Sequence, residues 1–112
     1  MITLRSPLDM HLHFRQDEML KTIAPLSAEH FAGGVIMPNL LPPVNGLDQL
    51  RSYTEEVNAA IGDMNFAPYM TLFFRNYTLA ELEAAKPHII GVKLYPAGAT
   101  TNSEDGVQQI SA

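Results

Sequence analysis

Asp9-Met10-His11-Leu12-His13-Phe14-Arg15 alternates polar and apolar side chains without a break, and such alternation is the mark of an extended strand. On that strand Asp9, His11, His13 and Arg15 share one face, while Leu8, Met10, Leu12 and Phe14 share the other. Same-face neighbours stand about 6.6 Å apart along a strand, a spacing at which two imidazoles reach one cation. The same alternation also describes an ordinary strand with one wet face. Which reading holds depends on where the rest of the chain delivers its other polar groups.

Outward from that strand, the chain alternates helical and strand patterns. Asp17 is a candidate cap for a helix over Met19–Phe31, with Leu20, Ile23, Ala24 and Phe31 on its buried stripe. Pro25 inside it predicts a kink or a split into two short pieces, and Ala32-Gly33-Gly34 is read as the helix terminator. Val35-Ile36-Met37 predicts a second strand that stops at Pro38-Asn39, and residues 40–46 with Pro42-Pro43 form a rigid loop. Leu47, Leu50, Tyr53, Val57 and Ala60 keep the helical period over Leu47–Ala60, and Gly62 closes that helix. Phe66–Phe74 is almost continuously apolar and predicts a third strand buried on both faces. Thr78-Leu79-Ala80-Glu81 is a capping box opening a helix to about Ala85. Ile89–Tyr95 predicts a fourth strand, residues 96–102 a loop, and Ser103–Ala112 the start of another helix. The order β-α-β-α-β-α-β implies an α/β fold: about four parallel strands joined by three right-handed crossover helices.

Composition narrows the function. The chain has 112 residues, enough for one modest domain, with 46% hydrophobic and 17% charged residues, a globular balance. The formal net charge of −5 offers no basic footprint for nucleic acid or an anionic membrane. Cysteine is absent, which removes disulfides and thiolate metal sites and leaves imidazole, carboxylate and lysine-derived ligands. No apolar run approaches the ~18 residues of a membrane span, so a soluble, cytoplasmic protein is expected.

Active sites of parallel α/β folds lie at the carboxyl ends of the strands. His11, His13 and Arg15 fall there on strand one, Asn39 just past strand two, and Lys93 near the end of strand four. His30 on the first helix and His88 before strand four fall elsewhere and are expected to be solvated or satisfied locally. Lys93 interrupts an apolar strand, where an ammonium is costly to desolvate. Two readings are open. Burial lowers a lysine pKa and favours a neutral, nucleophilic amine, which beside cations takes up carbon dioxide to form an anionic carbamate. Alternatively Lys93 snorkels from the strand end or pairs with Asp9.

Three segments together resemble a known family: D-M-H-L-H-F-R at 9–15, V-I-M-P-N-L at 35–40 and G-V-K-L-Y-P-A-G-A-T-T-N-S at 91–103. They are similar to dihydroorotase, more closely to the short, single-enzyme bacterial type within the amidohydrolase superfamily. The HxH pair alone indicates the superfamily, whereas the segment around Lys93 is much more specific. The resemblance implies a zinc enzyme in which His11 and His13 bind the first of two zinc ions and a carboxylated Lys93 bridges both. It implies a substrate site that includes His13, Phe14, Arg15, Asn39, Thr100 and Thr101. Arg15 and Asn39 would hold the substrate carboxylate, and Thr100 and Thr101 would lie on a loop closing over the substrate. Asp9 would orient its neighbours, and Gly98 stands where relatives carry a larger polar residue. The implied reaction is the reversible closure of N-carbamoyl-L-aspartate to dihydroorotate with loss of water, in pyrimidine biosynthesis, by a homodimeric enzyme using a hydroxide held between the metals.

A (β/α)8 barrel of the TIM type takes about 250 residues, so residues 1–112 are expected to form its N-terminal half, one partial barrel domain. No histidine follows His88, leaving the second metal's imidazoles and the general base unsupplied. Two other readings stand beside the enzyme: a non-catalytic half-barrel, and a related cyclic amidase such as a hydantoinase. The 112-residue chain purified by itself is expected to show no metal-dependent turnover of dihydroorotate, as measured by ring opening in the presence of zinc.

Overall fold

The computed structural model describes residues 2–99 and 101–108. Strand β1 (Leu8–Leu12) leads into helix α1 (Asp17–His30), strand β2 (Gly33–Ile36) and helix α2 (Leu47–Ile61). Strands β3 (Ala67–Tyr69) and β4 (Thr71–Phe73), helix α3 (Leu79–Ala85), a 3₁₀ turn (Lys86–His88) and strand β5 (Gly91–Lys93) complete the order. All pairing is parallel, with sheet orders β1-β2-β3 and β4-β5.

The continuous apolar run 66–74 thus becomes two strands rather than one. It pairs first with β2 and, past Met70, changes partner to β5. The Thr71 hydroxyl closes the seam by donating to the Ile36 carbonyl at 2.5 Å, and the Ile90 N–H reaches the Met70 carbonyl at 2.9 Å. The strands therefore follow one curved succession, with the core between them and the helices. Leu12, Phe14, Ile36, Phe66 and Leu72 meet Leu20, Ala24, Leu50, Tyr53 and Val57 there. Among the described residues β1 and β5 each carry a ladder on one side only, and Met10 (65% exposed), Val92 (40%) and Leu94 (41%) lie out in the open.

Helix α1 runs unbroken through Pro25, against the expected split. Proline removes the N–H that would bond the Lys21 carbonyl, and Lys21 is exposed, so water can serve that oxygen. Gly33 and Gly34 do not end this helix either; it stops at His30, with Phe31 as its C-cap. Both glycines sit in β2, where the strands approach too closely for side chains. A Cβ on Gly33 would stand 2.6 Å from the Ala67 carbonyl oxygen, and one on Gly34 2.8 Å from Leu12 Cδ2. Helix α2 follows its periodic positions, with Gly62 at φ 61° as its C-cap, a conformation open to glycine. The Thr78 capping box is present at α3, with Glu81 N–H to Thr78 Oγ1 at 3.2 Å and Thr78 N–H to Glu81 Oε2 at 2.7 Å. Residues 101–108 form turns and bends rather than the first turn of the helix expected from Ser103. The remainder of that expected helix lies outside the described residues. No helix among the described residues is long and apolar enough to cross a membrane.

Two measurements check these assignments. Gly33→Ala must displace backbone, and overpacking of this kind costs about 1–3 kcal/mol, read as a lower urea midpoint. The Glu81 carboxyl is lowered to about 2, first by the hydrogen bond from Arg75 and then by those from Thr78. Because the folded value is depressed, its contribution to the α3 cap is complete above the ordinary carboxylate value and is lost as pH falls through about 2. NMR titration of the Glu81 carboxyl should show that low midpoint, and Arg75→Met should move it upward.

Candidate active site

Strand β1 is not regular. Its register advances from Asp9↔Gly34 to Leu12↔Ile36, three residues against two, which is a bulge. The Asp9 carboxylate accepts the His11 N–H at 3.0 Å, serving a donor within the disturbed stretch. The bulge breaks the strict alternation expected for 9–15. Met10 and His11 both line a concavity of about 310 Å³ with Val35, Met37, Thr71 and Lys93. Past it, Leu12 and Phe14 turn into the core. His13 comes back toward His11, so that their Nε2 atoms are 3.0 Å apart, with ring centroids 4.9 Å apart and the rings tilted by 51°.

Two nitrogens about 2.1 Å from one tetrahedral cation stand roughly 3.4 Å apart. The observed 3.0 Å needs a shift of only a few tenths of an ångström, so the pair fits two positions in a cation's shell. His13 also favours the neutral form that a metal requires. Burial lowers its pKa, the nearby His11, Arg15 and Lys93 lower it further, and the Asn39 side chain opposes them. Among the described residues no group of three His, Asp or Glu could hold a metal. Lys93 lines the same concavity as His11, half-buried, with Nζ 5.6 Å from the centre of the Tyr95 ring. It forms no ion pair among the described residues; Asp9, its suggested partner, serves the His11 backbone instead.

Arg15 lies past the end of β1, with φ 59°, in the left-handed region that costs a non-glycine residue about 1 kcal/mol or more. Asp17 shares that strain at φ 54°. Helix α2 holds both. Tyr53 donates its hydroxyl to the Arg15 carbonyl at 2.6 Å, and Glu56 accepts the Asp17 N–H at 2.8 Å. Burial pushes the Tyr53 hydroxyl pKa up, keeping it a donor.

Asn39 is held at both ends of its amide. It is 2% exposed, its Nδ2 donates to the Thr101 carbonyl at 2.7 Å, and its Oδ1 accepts from the Tyr95 hydroxyl at 3.0 Å. Phe14 differs from its expected role in the substrate site. It is 0% exposed and packs against Phe66 with ring centroids 5.7 Å apart and planes tilted by 36°, so its side chain offers no surface to a ligand. Thr101 is exposed on the loop and takes part through its backbone, while Thr100 lies outside the described residues. His30 and His88 are exposed and sit apart from this group.

The structure therefore gathers His11, His13, Lys93, Arg15, Asn39 and Thr101 around one rim, and adds two tyrosines that the motif reading passed over. Tyr53 gives no local signal, because its period marks it simply as core. Tyr95 does: it stands two residues past Lys93, hence on the same strand face.

No protein-family model matches the chain. The dihydroorotase of Alkalilimnicola ehrlichii is 47% identical over 114 residues, covering 98% of this chain and 33% of its own length. The mitochondrial dihydroorotase of Oryza sativa subsp. japonica is 43% identical over 113 residues, covering 97% of this chain and 28% of its own. Among solved structures, the dihydroorotase of Campylobacter jejuni superposes with a TM-score of 0.89 at 50% identity, over 96% of this chain and 34% of that one. The dihydroorotase of Saccharomyces cerevisiae in complex with 5-fluoroorotic acid superposes with a TM-score of 0.79 at 36% identity, over 90% of this chain and 28% of that one. The chain thus spans about a third of the length of these relatives. With that sequence likeness, and with its strands laid along the same curved succession, the chain belongs to the dihydroorotase family, as the N-terminal arc of a TIM-type barrel.

Proposed function

We propose that this chain supplies the first part of the active site of a zinc-dependent dihydroorotase, which reversibly closes N-carbamoyl-L-aspartate to (S)-dihydroorotate with loss of water. The observation that carries the proposal is the convergence of His11 and His13 Nε2 to 3.0 Å beside the concavity that Lys93 lines, within a fold shared with dihydroorotases. That the Saccharomyces cerevisiae relative is in complex with 5-fluoroorotic acid, a carboxylated six-membered ring, supports the substrate class.

In this reading His11 and His13 hold one zinc through their ring nitrogens. Lys93 cannot serve as an ammonium, because a cation has no lone pair to donate. Its neutral amine would add carbon dioxide and release a proton, giving an anionic carbamate that would supply oxygen ligands to a metal. What zinc supplies when bound is Lewis acidity toward the ring amide carbonyl and a more acidic water. The other residues bind and orient. The planar Arg15 guanidinium matches a carboxylate in a two-point contact, and its strained backbone is held by Tyr53. The Asn39 amide nitrogen carries a second hydrogen beyond the one given to Thr101, available to the same carboxylate. Thr100 and Thr101 belong to the loop that covers the substrate. The remaining ligands and the proton-transferring acid come from barrel strands beyond this segment, and the full-length enzyme is a cytoplasmic homodimer.

Lys93→Ala in the full-length enzyme should lose the paired zinc and nearly all activity, measured by metal analysis alongside turnover; two zincs at the parent rate would refute the role of Lys93. Arg15→Met should raise KM for dihydroorotate by about tenfold or more, since a charge-assisted contact is lost. Its effect on a cyclic amide lacking the carboxylate should be small. Equal losses on the two rings would favour a cyclic amidase that does not read the carboxylate.

A further inference from the structure

The amide of Asn39 is the joint between three parts of the site, and its orientation can be deduced. The Thr101 carbonyl only accepts, so the atom 2.7 Å from it must be the amide nitrogen. The amide oxygen then faces Tyr95, whose hydroxyl donates to it at 3.0 Å. A phenol keeps its proton at neutral pH, so this hydroxyl is a donor there. The phenol is itself fixed. Its ring stacks on Phe73 with centroids 5.1 Å apart and planes 20° apart, and its backbone carbonyl accepts the Val107 N–H at 2.6 Å.

The loop that Asn39 touches is closed on itself. Ala97 N–H bonds the Val107 carbonyl at 2.9 Å, Gly98 N–H the Ser103 carbonyl at 3.0 Å, and Gly106 N–H the Ser103 carbonyl at 2.9 Å. A Cβ on Gly106 would run into the Tyr95 carbonyl oxygen, so this loop packs directly on the backbone of Tyr95. One residue thus borders the loop through its main chain and Asn39 through its hydroxyl.

We infer that Tyr95 is a positioning residue for the reaction: its hydroxyl fixes the Asn39 amide so that the NH₂ end, and not the oxygen, is presented to the Thr101 segment and to the substrate carboxylate. This rests on the dihydroorotase reading, in which Asn39 meets that carboxylate. Without the hydroxyl, the buried amide loses one of the two contacts that set its orientation, and a turned-over amide would present an oxygen to an anion.

The test is a double-mutant cycle in the full-length zinc enzyme with Tyr95→Phe, Asn39→Ala and the pair. Tyr95→Phe keeps the stacked ring and should raise KM about tenfold, the effect of losing one buried hydrogen bond and its orientation, while zinc content holds and kcat changes less than threefold. In the Asn39→Ala background the same substitution should have no further effect on KM. Amide hydrogen exchange across residues 97–107 should quicken in Tyr95→Phe. An unchanged KM, additive effects in the cycle, or a Tyr95→Phe protein that is insoluble or zinc-poor would overturn the inference, the last by making the hydroxyl a structural requirement. If the parent enzyme leaves dihydroorotate untouched, the assigned reaction is what fails. Exchange across 97–107 then decides the Tyr95–Asn39 link, and unchanged exchange in Tyr95→Phe overturns it.

Discussion

Three residues of β1 set against two of β2 between Asp9 and Leu12 govern the geometry of the rim. A straight strand would send Met10 the way of Leu12, into the core. The bulge turns Met10 and His11 together toward the concave side and restores the core face only at Leu12 and Phe14. Asp9 serves the disturbed stretch, since its carboxylate takes the His11 N–H. Asp9 thus steadies the backbone of its neighbour His11.

The same division of labour recurs around the rim. Arg15 and Asp17 hold left-handed backbone because Tyr53 and Glu56, one turn apart on α2, reach the intervening loop. Asn39 is oriented by Tyr95 and ties down Thr101. The residues of the candidate site come from strand ends, and the residues that hold them come from the next helix or strand. A parallel α/β arrangement supplies both kinds in each repeat.

The alternating and periodic segments were legible in the sequence. The α2 stripe, Gly62 and the Thr78 box stand where the sequence puts them, because each is decided within a few residues. What local reasoning missed depends on partners distant in sequence. Gly33 and Gly34 look like a helix stop, yet are required by the approach of Ala67, Leu8 and Leu12. The break at Met70 is invisible in a continuously apolar run, because it arises from a change of neighbouring strand. Asn39 was identifiable as a site residue, but its burial follows from Tyr95 and Thr101, fifty-six and sixty-two positions away. The imidazole pair, spaced two residues apart, was legible locally, whereas the bulge beside it was not.

The half-used edges of β1 and β5 carry a further consequence, for handling rather than for catalysis. Among the described residues, the edge N–H and C=O groups of β1 and β5, flanked by Met10, Val92 and Leu94, form a template to which an extended strand can add. Addition is bimolecular, so its extent is set by concentration. Residues 1–112 by themselves would stay dispersed when dilute and self-associate in concentrated stocks.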